Sequence, residues 1–429
     1  MKKVLIISYY FPPSGGSGVQ RVLKFVKYLP QFGWKPVVYT VENGEYPIID
    51  KSLEKDIPKE AEVIRSKIWE PYNLYKKFIG ASSDAAISPG FVHENKKPKL
   101  TQRIAQWIRG NVFIPDARKF WIKPSIKFLT RYLKQNPVDA IISSGPPHSC
   151  HLIALGLKKQ LGIKWLADFR DPWTKIYYYD KLHHTKSSHK KNLRLEKEVL
   201  ASADEVIVVG ETMKKEFSDV RKDNIHVITN GYDEDDIISD KKMLDEKFSI
   251  VYTGYLVGDE NSTSLWQALK TIINSNDDFR SKLHLKFVGK VDVKVKNEIS
   301  SFGLDEYSEF IDYKPHDEVT AYQQSAQVLL LLLNDTQAFK GILTGKMFEY
   351  LASKRPILCI GSIDGDAAKI INETKSGVVL RSDDENGIKE KILEFFEKYK
   401  SNNLHVNSIG IEKYSRRNLT SELVRILNK

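Results

Sequence analysis

The sequence predicts an α/β protein with two doubly wound domains, each built on a parallel sheet with helices on both faces. Short apolar runs alternate with helical patterns along nearly the whole chain, which is typical of parallel α/β sheets. The runs are continuously apolar, as strands covered on both faces must be. A chain of 429 residues is also too long for one compact core. We therefore expect domains at 1–240 and 241–410, followed by a terminal helix at 411–429.

The first domain is expected to begin with a buried strand, Lys3–Ser8. Its apolar run is too short for the core of a signal peptide, and it leads into Phe-Pro-Pro rather than a small-residue cleavage site. Helical patterns follow at Val19–Gln31, His148–Leu161 and Glu211–Phe217. The remaining apolar runs predict four more strands, at Lys35–Tyr39, Ala140–Ser143, Lys164–Ala167 and Glu205–Val209.

The second domain is expected to follow the acidic, loop-like stretch Asp233–Lys247. Six apolar runs predict its strands, at Phe248–Tyr252, Leu283–Val288, Glu309–Ile311, Val328–Leu333, Pro356–Ile360 and Gly377–Leu380. The terminal segment Ile411–Lys429 is a basic amphipathic helix that belongs to neither set of strands.

Composition limits the class of protein. No run approaches the roughly 18 apolar residues that a membrane-spanning helix needs. The two cysteines, Cys150 and Cys359, lie in different halves of the chain, which argues against a disulfide framework or a cysteine zinc site. We therefore expect a cytoplasmic location.

The net charge of +11 is concentrated in residues 95–135, which hold eleven Lys or Arg and the single acid Asp116. Aromatic residues are interleaved with these cations, among them Trp107, Phe120 and Phe128. A basic, aromatic and helical surface of this kind indicates contact with an anionic membrane. Nucleic acid could use the same chemistry, but no recognition motif for it is present. A solvated basic face above core aromatics is the plainer alternative.

A glycine-rich loop follows the first strand and opens the first helix. Gly15, Gly16 and Gly18 allow close approach of the backbone, so the loop could wrap a phosphate or a sugar at the helix N-terminus. The pattern is neither the dinucleotide-binding Gly-x-Gly-x-x-Gly nor a Walker motif. Its place at the carboxyl end of the first strand strengthens the prediction, because ligands bind at that edge of open parallel sheets.

Two further groups of polar residues follow strands of the first domain. Arg170 and Asp171 come after the fourth strand and are candidates for catalysis or positioning. The structural alternative is an ion pair in which Asp168 or Asp171 braces the loop through Arg170. His148 and His151, at the start of a helix, could contact a ligand or serve a capping or structural role.

In the second domain the segment Leu343–Gly361 predicts a short helix that runs into a buried strand. Thr344 and Gly345 open the helix, and Lys346 and Glu349 lie three residues apart on one face. The helix N-terminus and Lys346 would attract phosphates, and Glu349 could reach the hydroxyls of a ribose. An ordinary amphipathic helix with a solvated Lys and Glu is the alternative. Further turns with ligand-binding potential end two other strands, at Gly254 and Lys290.

In their order along the chain, these segments resemble the glycosyltransferases of the GT-B fold, in particular the family 4-like group that uses nucleotide-sugar donors. The resemblance covers nearly the whole chain, through Tyr9–Arg21, Phe169–Trp173, Ala203–Val209, Ile225–Asp233, Tyr252–Tyr255 and Lys346–Leu358. It implies two Rossmann-like domains facing a central cleft, with the donor on the second, the acceptor on the first, and a final helix that crosses back to the first domain.

The resemblance also assigns roles to residues. Glu349 matches the second glutamate of the family's E-x7-E motif, which binds the donor ribose, and Lys346 would lie at the pyrophosphate. The first glutamate position holds Gly341. The family's arginine and lysine after the first strand of the second domain are also missing, because Tyr255 follows Gly254 and the segment 259–262, Asp-Glu-Asn-Ser, occupies the later position.

The family's histidine in the first domain is replaced by Arg170 or Asp171, depending on the alignment. We therefore expect the catalytic residues to be Asp171, Arg170 and Lys346. The expected donor-binding residues are Glu349, Gly345, Thr344, Lys290, Gly254, Gly15 and Gly16. The expected acceptor-binding residues are Gly18, His148 and His151.

The resemblance implies a retaining hexosyltransferase that needs no metal and no other cofactor. Asp364 and Asp366 form a D-x-D pattern, but their context indicates a turn rather than a metal site. The expected substrates are a UDP- or GDP-sugar and a lipid-linked or surface-polysaccharide acceptor at the inner face of the cell membrane, with no nucleic-acid partner. Two alternatives stay open: a GT-B nucleotide-sugar epimerase and a non-catalytic scaffold subunit that binds nucleotide-sugars.

Overall fold

A computed structural model describes residues 1–46, 48–70, 100–237 and 243–429. The chain divides into two compact α/β units, and each is built on one parallel sheet, which confirms the predicted fold class. Unit 1 comprises Met1–Thr229 and Arg416–Lys429, and unit 2 comprises Asn230–Ser415. The domain boundaries expected at 240/241 and 410/411 concern independently folding domains, and they stay predictions.

Unit 1 contains a sheet of seven described strands in the order β3-β2-β1-β4-β5-β6-β7. The strands are β1 (Lys2–Ile7), β2 (Trp34–Val41), β3 (Glu62–Ser66), β4 (Ala140–Gly145), β5 (Lys164–Phe169), β6 (Glu205–Val208) and β7 (Ile225–Val227). The helices are α1 (Ser17–Tyr28), α2 (Leu100–Asn111), α3 (Lys119–Gln135), α4 (Ser149–Leu161), α5 (Lys186–Ser202), α6 (Glu211–Phe217) and, from the end of the chain, α14 (Arg416–Leu427).

The two edge strands of this sheet were not predicted from the sequence. In β3 no residue is fully buried, and β7 is only three residues long. Neither therefore produces the continuous apolar run that marks the five inner strands.

The unit 1 sheet is covered on both faces. Leu5 and Ile7 of β1 face one core, and Val4 and Ile6 face the other, as the two-residue period of a strand requires. Helices α1 and α14 cover the second face together, and α14 contributes Leu423, which is fully buried.

Unit 2 contains a sheet of six described strands in the order β10-β9-β8-β11-β12-β13. The strands are β8 (Phe248–Thr253), β9 (Leu283–Val288), β10 (Ser308–Ile311), β11 (Val328–Leu332), β12 (Ile357–Ile360) and β13 (Gly377–Leu380). The helices are α7 (Thr263–Ser275), α8 (Asp277–Lys282), α9 (Val293–Ser301), α10 (His316–Ser325), α11 (Gly345–Ser353), α12 (Asp366–Glu373) and α13 (Glu385–Lys400).

The strand order reverses between β1 and β4 in unit 1 and between β8 and β11 in unit 2. At such a reversal the connections leave to opposite faces of the sheet, which opens a crevice outside the carboxyl ends of the strands. The two places where a ligand is expected are therefore the ends of β1 and β4 and the ends of β8 and β11.

The terminal segment is not one helix. A 3₁₀ turn at Ile411–Tyr414 is separated from α14 by Ser415, which has an extended backbone. The turn belongs to unit 2 and the helix to unit 1. In the described part of the chain, no helix is long and apolar enough to cross a membrane.

Candidate functional site

The carboxyl edge of the unit 2 sheet is shaped by two glycines. Gly254 follows β8 with φ +98°, and Gly289 follows β9 with φ +121°, both in the left-handed region that side chains avoid. A Cβ on Gly289 would lie 2.5 Å from the carbonyl oxygen of Gly254, so these two turns can approach closely only because a side chain is absent. The backbone of Gly254, at the end of β8, is therefore not covered by a side chain of its own.

Helix α11 begins beside this turn. Thr344 is its N-cap residue but makes no capping bond with its side chain, and its Oγ1 is buried without a partner among the described residues. The Cα of Gly345 faces open space, since nothing lies within 4 Å of the position a Cβ would take. The first turn of α11 therefore presents an unused hydroxyl and backbone N–H groups, the arrangement that binds anions.

Lys346 extends from the first turn of α11 to the end of β8. Its Nζ donates a hydrogen bond to the hydroxyl of Tyr252 and lies 4.0 Å from the centre of that ring. A Cβ on Gly254 would lie 3.7 Å from Nζ, which places the ammonium beside the Gly254 turn. Desolvation lowers the pKa of Lys346, and the carboxylates of Glu260 and Glu349 act in the opposite direction.

Glu349 lies one turn further along α11 and is half-buried. Its Oε2 accepts a hydrogen bond of 2.9 Å from Nε2 of Gln323 on α10, and the same amide group donates to Oγ1 of Thr253. Oε1 of Glu349 has no hydrogen bond to any residue that the structure describes, so one carboxylate oxygen is fixed and the other is available.

Lys290 lies after β9, where its Nζ is 5.3 Å from the ring centre of Tyr255. The side chain is exposed. Lys290 is therefore near the edge that holds Lys346 but is not held by an ion pair in the described structure.

In unit 1 the glycine loop is packed by its own neighbours. Gly15 donates its N–H to the carbonyl of Ile48 at 2.9 Å, and a Cβ at this position would lie 2.9 Å from Cβ of Asp50. Gly16 has φ +87° and opens α1 without a side-chain cap. The carbonyl of Gly18 accepts a hydrogen bond from Arg170.

Arg170 donates to the backbone carbonyls of Gly18, Gly145 and Pro146, which ties the ends of β4 and β5 to α1. Asp168 does not pair with Arg170, so that part of the structural alternative is wrong. Asp168 instead forms a bidentate ion pair with Arg21 at 2.7 Å, and both side chains are 1% exposed.

The Arg21–Asp168 pair is completed by two neutral groups. Oγ of Ser144 donates to Asp168 at 2.7 Å, and Arg21 donates to the carbonyl of Thr229, also at 2.7 Å. Asp171, by contrast, is an exposed residue with no hydrogen-bond partner within the described ranges. Desolvation of its carboxyl raises the pKa of Asp171, and the nearby Arg170 guanidinium acts in the opposite direction.

The two histidines are buried in an aromatic cluster. His148 stacks on Trp173 with ring centres 4.4 Å apart, and burial holds its pKa well below the ordinary value. Nδ1 of His151 shares a 2.8 Å hydrogen bond with Oγ of Ser143, whose oxygen also accepts from Trp165. Burial lowers the pKa of His151 to about 3. Both rings are therefore neutral, and their burial favours the structural role.

Asp364 and Asp366, the two aspartates of the D-x-D pattern, have different surroundings. Asp364 is bonded to Lys340 at the surface, and Asp366 is the buried first residue of α12. Among the described residues, no group of three or more His, Cys, Asp or Glu is placed to hold a metal ion. Metal independence stays a prediction.

The sequence analysis missed three residues that shape the unit 2 edge. Tyr252 and Gln323 are buried supports of Lys346 and Glu349, and Glu260 accepts a 3.2 Å hydrogen bond from the Tyr252 hydroxyl. Glu260 lies in the 259–262 segment that departs from the family pattern. The sequence did offer a sign of its role, because Glu260 is an acidic residue in a segment where the family has a basic one.

The described part of the basic stretch includes α2 and α3. On α3, Phe120 and Phe128 are 41% and 45% exposed, and Lys123, Lys127 and Arg131 lie on the same exposed face. We call these five residues the α3 face. The three cations also line a cavity of about 450 Å³ beside α4. Residues 95–99 lie outside the described residues.

Two family models match most of the chain. Residues 88–236 match Glycosyltransferase Family 4, and residues 247–398 match Glycosyl transferases group 1. The two matches fall almost entirely within unit 1 and unit 2, respectively. No curated protein matches the sequence.

Solved structures match the full length of the chain. A glycosyltransferase from Rickettsia africae ESF-5 is 15% identical with a TM-score of 0.62, and the match covers 100% of this chain and 98% of that one. TarM from S. aureus, in complex with Fondaparinux, alpha-GlcNAc-glycerol and UDP, is 13% identical with a TM-score of 0.59 and full coverage of both chains, 100% each.

A third match is WaaG, a glycosyltransferase involved in lipopolysaccharide biosynthesis. It is 13% identical with a TM-score of 0.54, over 98% of this chain and 94% of that one. Identities this low show the fold alone, and that fold is GT-B.

Proposed function

Because the chain belongs to the family 4-like glycosyltransferases of the GT-B fold, we propose that it moves a sugar from a UDP- or GDP-sugar to a lipid-linked or surface-polysaccharide acceptor. The proposed reaction retains the anomeric configuration and uses no metal and no other cofactor. It takes place at the cytoplasmic face of the cell membrane. The observation that carries the proposal is the grouping of Lys346, Thr344 and Glu349 at the carboxyl edge of the unit 2 sheet.

The first turn of α11 is suited to the diphosphate of the donor. Thr344 offers an unused hydroxyl, the backbone at Gly345 is open, and Lys346 adds a full positive charge. Breaking the bond between the sugar C1 and the diphosphate oxygen develops negative charge on the leaving group. Preorganised positive charge at that point lowers the barrier more than it strengthens binding of the intact donor.

Glu349 is suited to the ribose. Its Oε1 is available to accept hydrogen bonds from hydroxyl groups, while Gln323 fixes the other oxygen. Three residues of helix, a rise of about 4.5 Å, separate it from Lys346, so one nucleoside diphosphate could contact both side chains.

For the acceptor, Asp171 remains the proposed catalytic residue of unit 1, since it is an exposed residue whose carboxyl has a raised pKa, as a group that accepts or donates a proton needs. Arg170 is proposed to position the loop that carries Asp171, because its guanidinium is bonded to three carbonyls. Gly18, His148 and His151 are proposed to shape the acceptor region through packing.

The α3 face supports the membrane part of the proposal. Two exposed phenylalanines and three cations on one helix face suit an interface with anionic lipid, where the rings enter the headgroup region and the cations pair with phosphates. Trp69 extends the apolar part, since its ring meets Phe120 edge-on at 4.8 Å.

Binding of UDP and GDP measured by calorimetry tests the donor site. We expect one diphosphate to bind wild type. Lys346→Ala should lower turnover by about 10²-fold or more because it removes charge at the leaving group. Glu349→Ala should mainly weaken binding, because its contacts are to the ribose in substrate and transition state alike. Lys375→Ala and Glu373→Ala, at exposed positions of unit 2, are the matched controls.

Small and equal effects of both substitutions would overturn the pocket assignment. A diphosphate that binds without any donor hydrolysis or sugar transfer would favour the scaffold alternative. Inversion of one stereocentre of the donor sugar, without transfer of the sugar, would favour the epimerase alternative.

Co-sedimentation with vesicles tests the membrane part. Replacing Lys123, Lys127 and Arg131 by Gln should weaken binding to anionic vesicles about 100-fold, at roughly 1 kcal/mol for each cation. The control replaces Lys270, Lys375 and Lys400, which are exposed on unit 2, and should change binding little. Equal binding of wild type to anionic and zwitterionic vesicles would contradict this part alone.

A further inference from the structure

Glu260 is placed against the lysine that the proposed function assigns to the diphosphate. It belongs to the short 3₁₀ turn Gly258–Glu260 that follows β8. Its Oε2 lies 3.2 Å from the hydroxyl of Tyr252, and the same hydroxyl accepts a hydrogen bond from Nζ of Lys346. The three side chains therefore form a relay, with the tyrosine hydroxyl between the acid and the ammonium.

Tyr252 makes the relay rigid. Its ring is fully buried, and its hydroxyl is also 3.0 Å from the backbone carbonyl of Tyr255. The ammonium of Lys346 lies over the ring, so the tyrosine holds it by a hydrogen bond and by a cation–π contact. Burial raises the pKa of Tyr252 well above its ordinary value, so the hydroxyl stays protonated and neutral.

The charges that face Lys346 are two carboxylates from different elements. Glu260 approaches from the turn after β8, and Glu349 from the same helix as Lys346; Tyr252 contributes no charge. Burial raises the pKa of Glu260, and Lys346 is the principal group that lowers it again. Each charge is therefore compensated by the other in a partly desolvated position.

The negative charge of Glu260 disfavours a direct contact between its carboxylate and a diphosphate, because two anions repel each other. The chain lacks the arginine and lysine that the family uses near this turn, with Tyr255 and the 259–262 segment in their places. An acid in this segment can support diphosphate binding only through a cation.

We propose that Glu260 is a positioning residue that acts through the Tyr252 hydroxyl, holding the Lys346 ammonium at the end of β8 and balancing its charge in the absence of donor. The inference rests on the proposed function, because it assigns Lys346 to the donor diphosphate. It makes Glu260 a partner of the lysine rather than a ligand of the substrate.

The test is the affinity for UDP and GDP measured by calorimetry between pH 6.5 and 9. Glu260→Gln keeps the shape of the side chain and removes its charge, so the pKa of Lys346 should fall further below its ordinary value. Affinity should equal or exceed that of wild type at pH 6.5, where one repelling anion is gone, and should fall about tenfold relative to wild type at pH 9. Asp259→Asn removes an exposed charge from the neighbouring position and should leave the profile unchanged.

Tyr252→Phe provides a second variant that keeps the ring and removes the hydroxyl. It should weaken binding at every pH without the crossing of profiles, because Lys346 loses its acceptor but Glu260 is still present. A parallel loss of affinity at all pH values in Glu260→Gln, or no change in it, would overturn the inference. If wild type bound neither UDP nor GDP, the proposed function itself would be contradicted. That outcome differs from the failure of the Glu260 inference, in which wild type still binds.

Discussion

The carboxyl edges of the two sheets have the same topology but use their charged residues differently. In unit 1 Arg21 and Asp168 pair in the core and Arg170 is bonded to backbone carbonyls, whereas Asp171 is exposed and has no hydrogen-bond partner among the described residues. In unit 2 the edge keeps unused capacity, at Thr344 Oγ1 and at one oxygen of Glu349, as far as the described residues extend.

This difference teaches that polar residues after a parallel strand are of two kinds. A side chain whose hydrogen-bonding groups are all satisfied by the protein holds the edge together, and one that is at least partly exposed with groups left over is available to a ligand. His148 Nδ1 and His151 Nε2 also lack partners among the described residues, but both rings are buried. In the sequence both kinds of polar side chain follow the end of a strand, so only the hydrogen-bond partners seen in the structure distinguish them. The comparison predicts that substitutions at Arg21 and Asp168 cost stability and that substitutions at Lys346 and Glu349 cost function.

The largest expected effect is at the buried ion pair. Asp168→Asn should lower the free energy of unfolding by about 3–5 kcal/mol, because it leaves the Arg21 guanidinium buried without a counter-charge. Urea denaturation measures the loss. Asp171→Asn, three residues away at an exposed position, is the control and should change stability by less than about 0.5 kcal/mol. Similar effects of the two substitutions would remove the distinction drawn for unit 1.

A smaller effect concerns His151. Because it is neutral when folded and its pKa lies at about 3, the unfolded chain binds its proton first as the pH falls below about 6.5. The free energy of unfolding should therefore fall between pH 7 and 5, by about 2 kcal/mol for this residue. His151→Asn keeps a polar group beside Ser143 and should lose that share of the pH dependence, measured by urea denaturation at both pH values.

Two features of this experiment make it specific. His148 contributes in the same direction, so the variant should keep a reduced slope rather than none. His405→Asn, at an exposed position of unit 2, should keep the slope of wild type. An unchanged slope in His151→Asn would show that the histidine is charged or accessible in the folded state.

The smallest expected effect on stability is at Lys346. Lys346→Met removes a partly desolvated cation and leaves Glu260 in a half-buried position where it can bind a proton, so stability should stay within about 1 kcal/mol of wild type. Thermal unfolding measures this beside the binding experiments. A loss of more than about 3 kcal/mol would make Lys346 a structural residue like Arg21 and end the contrast between the two edges.

Much of the fold could be predicted because inner strands of doubly wound sheets leave a direct signal. The continuously apolar runs at β1, β8 and β11 follow from burial on both faces. Strand β3, whose residues are only partly buried, lacks that signal, and so does the short β7. The break at Ser415 could not be predicted either, since apolar spacing continues through it.

The candidate site was predicted in part. Helix α11 and its residues Lys346 and Glu349 could be found because helix starts and i, i+3 spacing are local properties. The support of Lys346 by Tyr252 and Glu260 could not, because it joins residues about ninety positions apart. For the same reason Arg21 was not identified as the partner of Asp168, although both lie in segments that the sequence analysis had selected.

Helix α14 has a consequence for how the protein is made. Its residues Leu419, Leu423 and Val424 complete a core that also contains Val22 and Val26 of α1. On the ribosome, α1 emerges early, but α14 follows only after all of unit 2 has been synthesised. The part of α1 that contacts α14 therefore stays uncovered until translation is complete, which leaves an apolar surface open to aggregation in the growing chain.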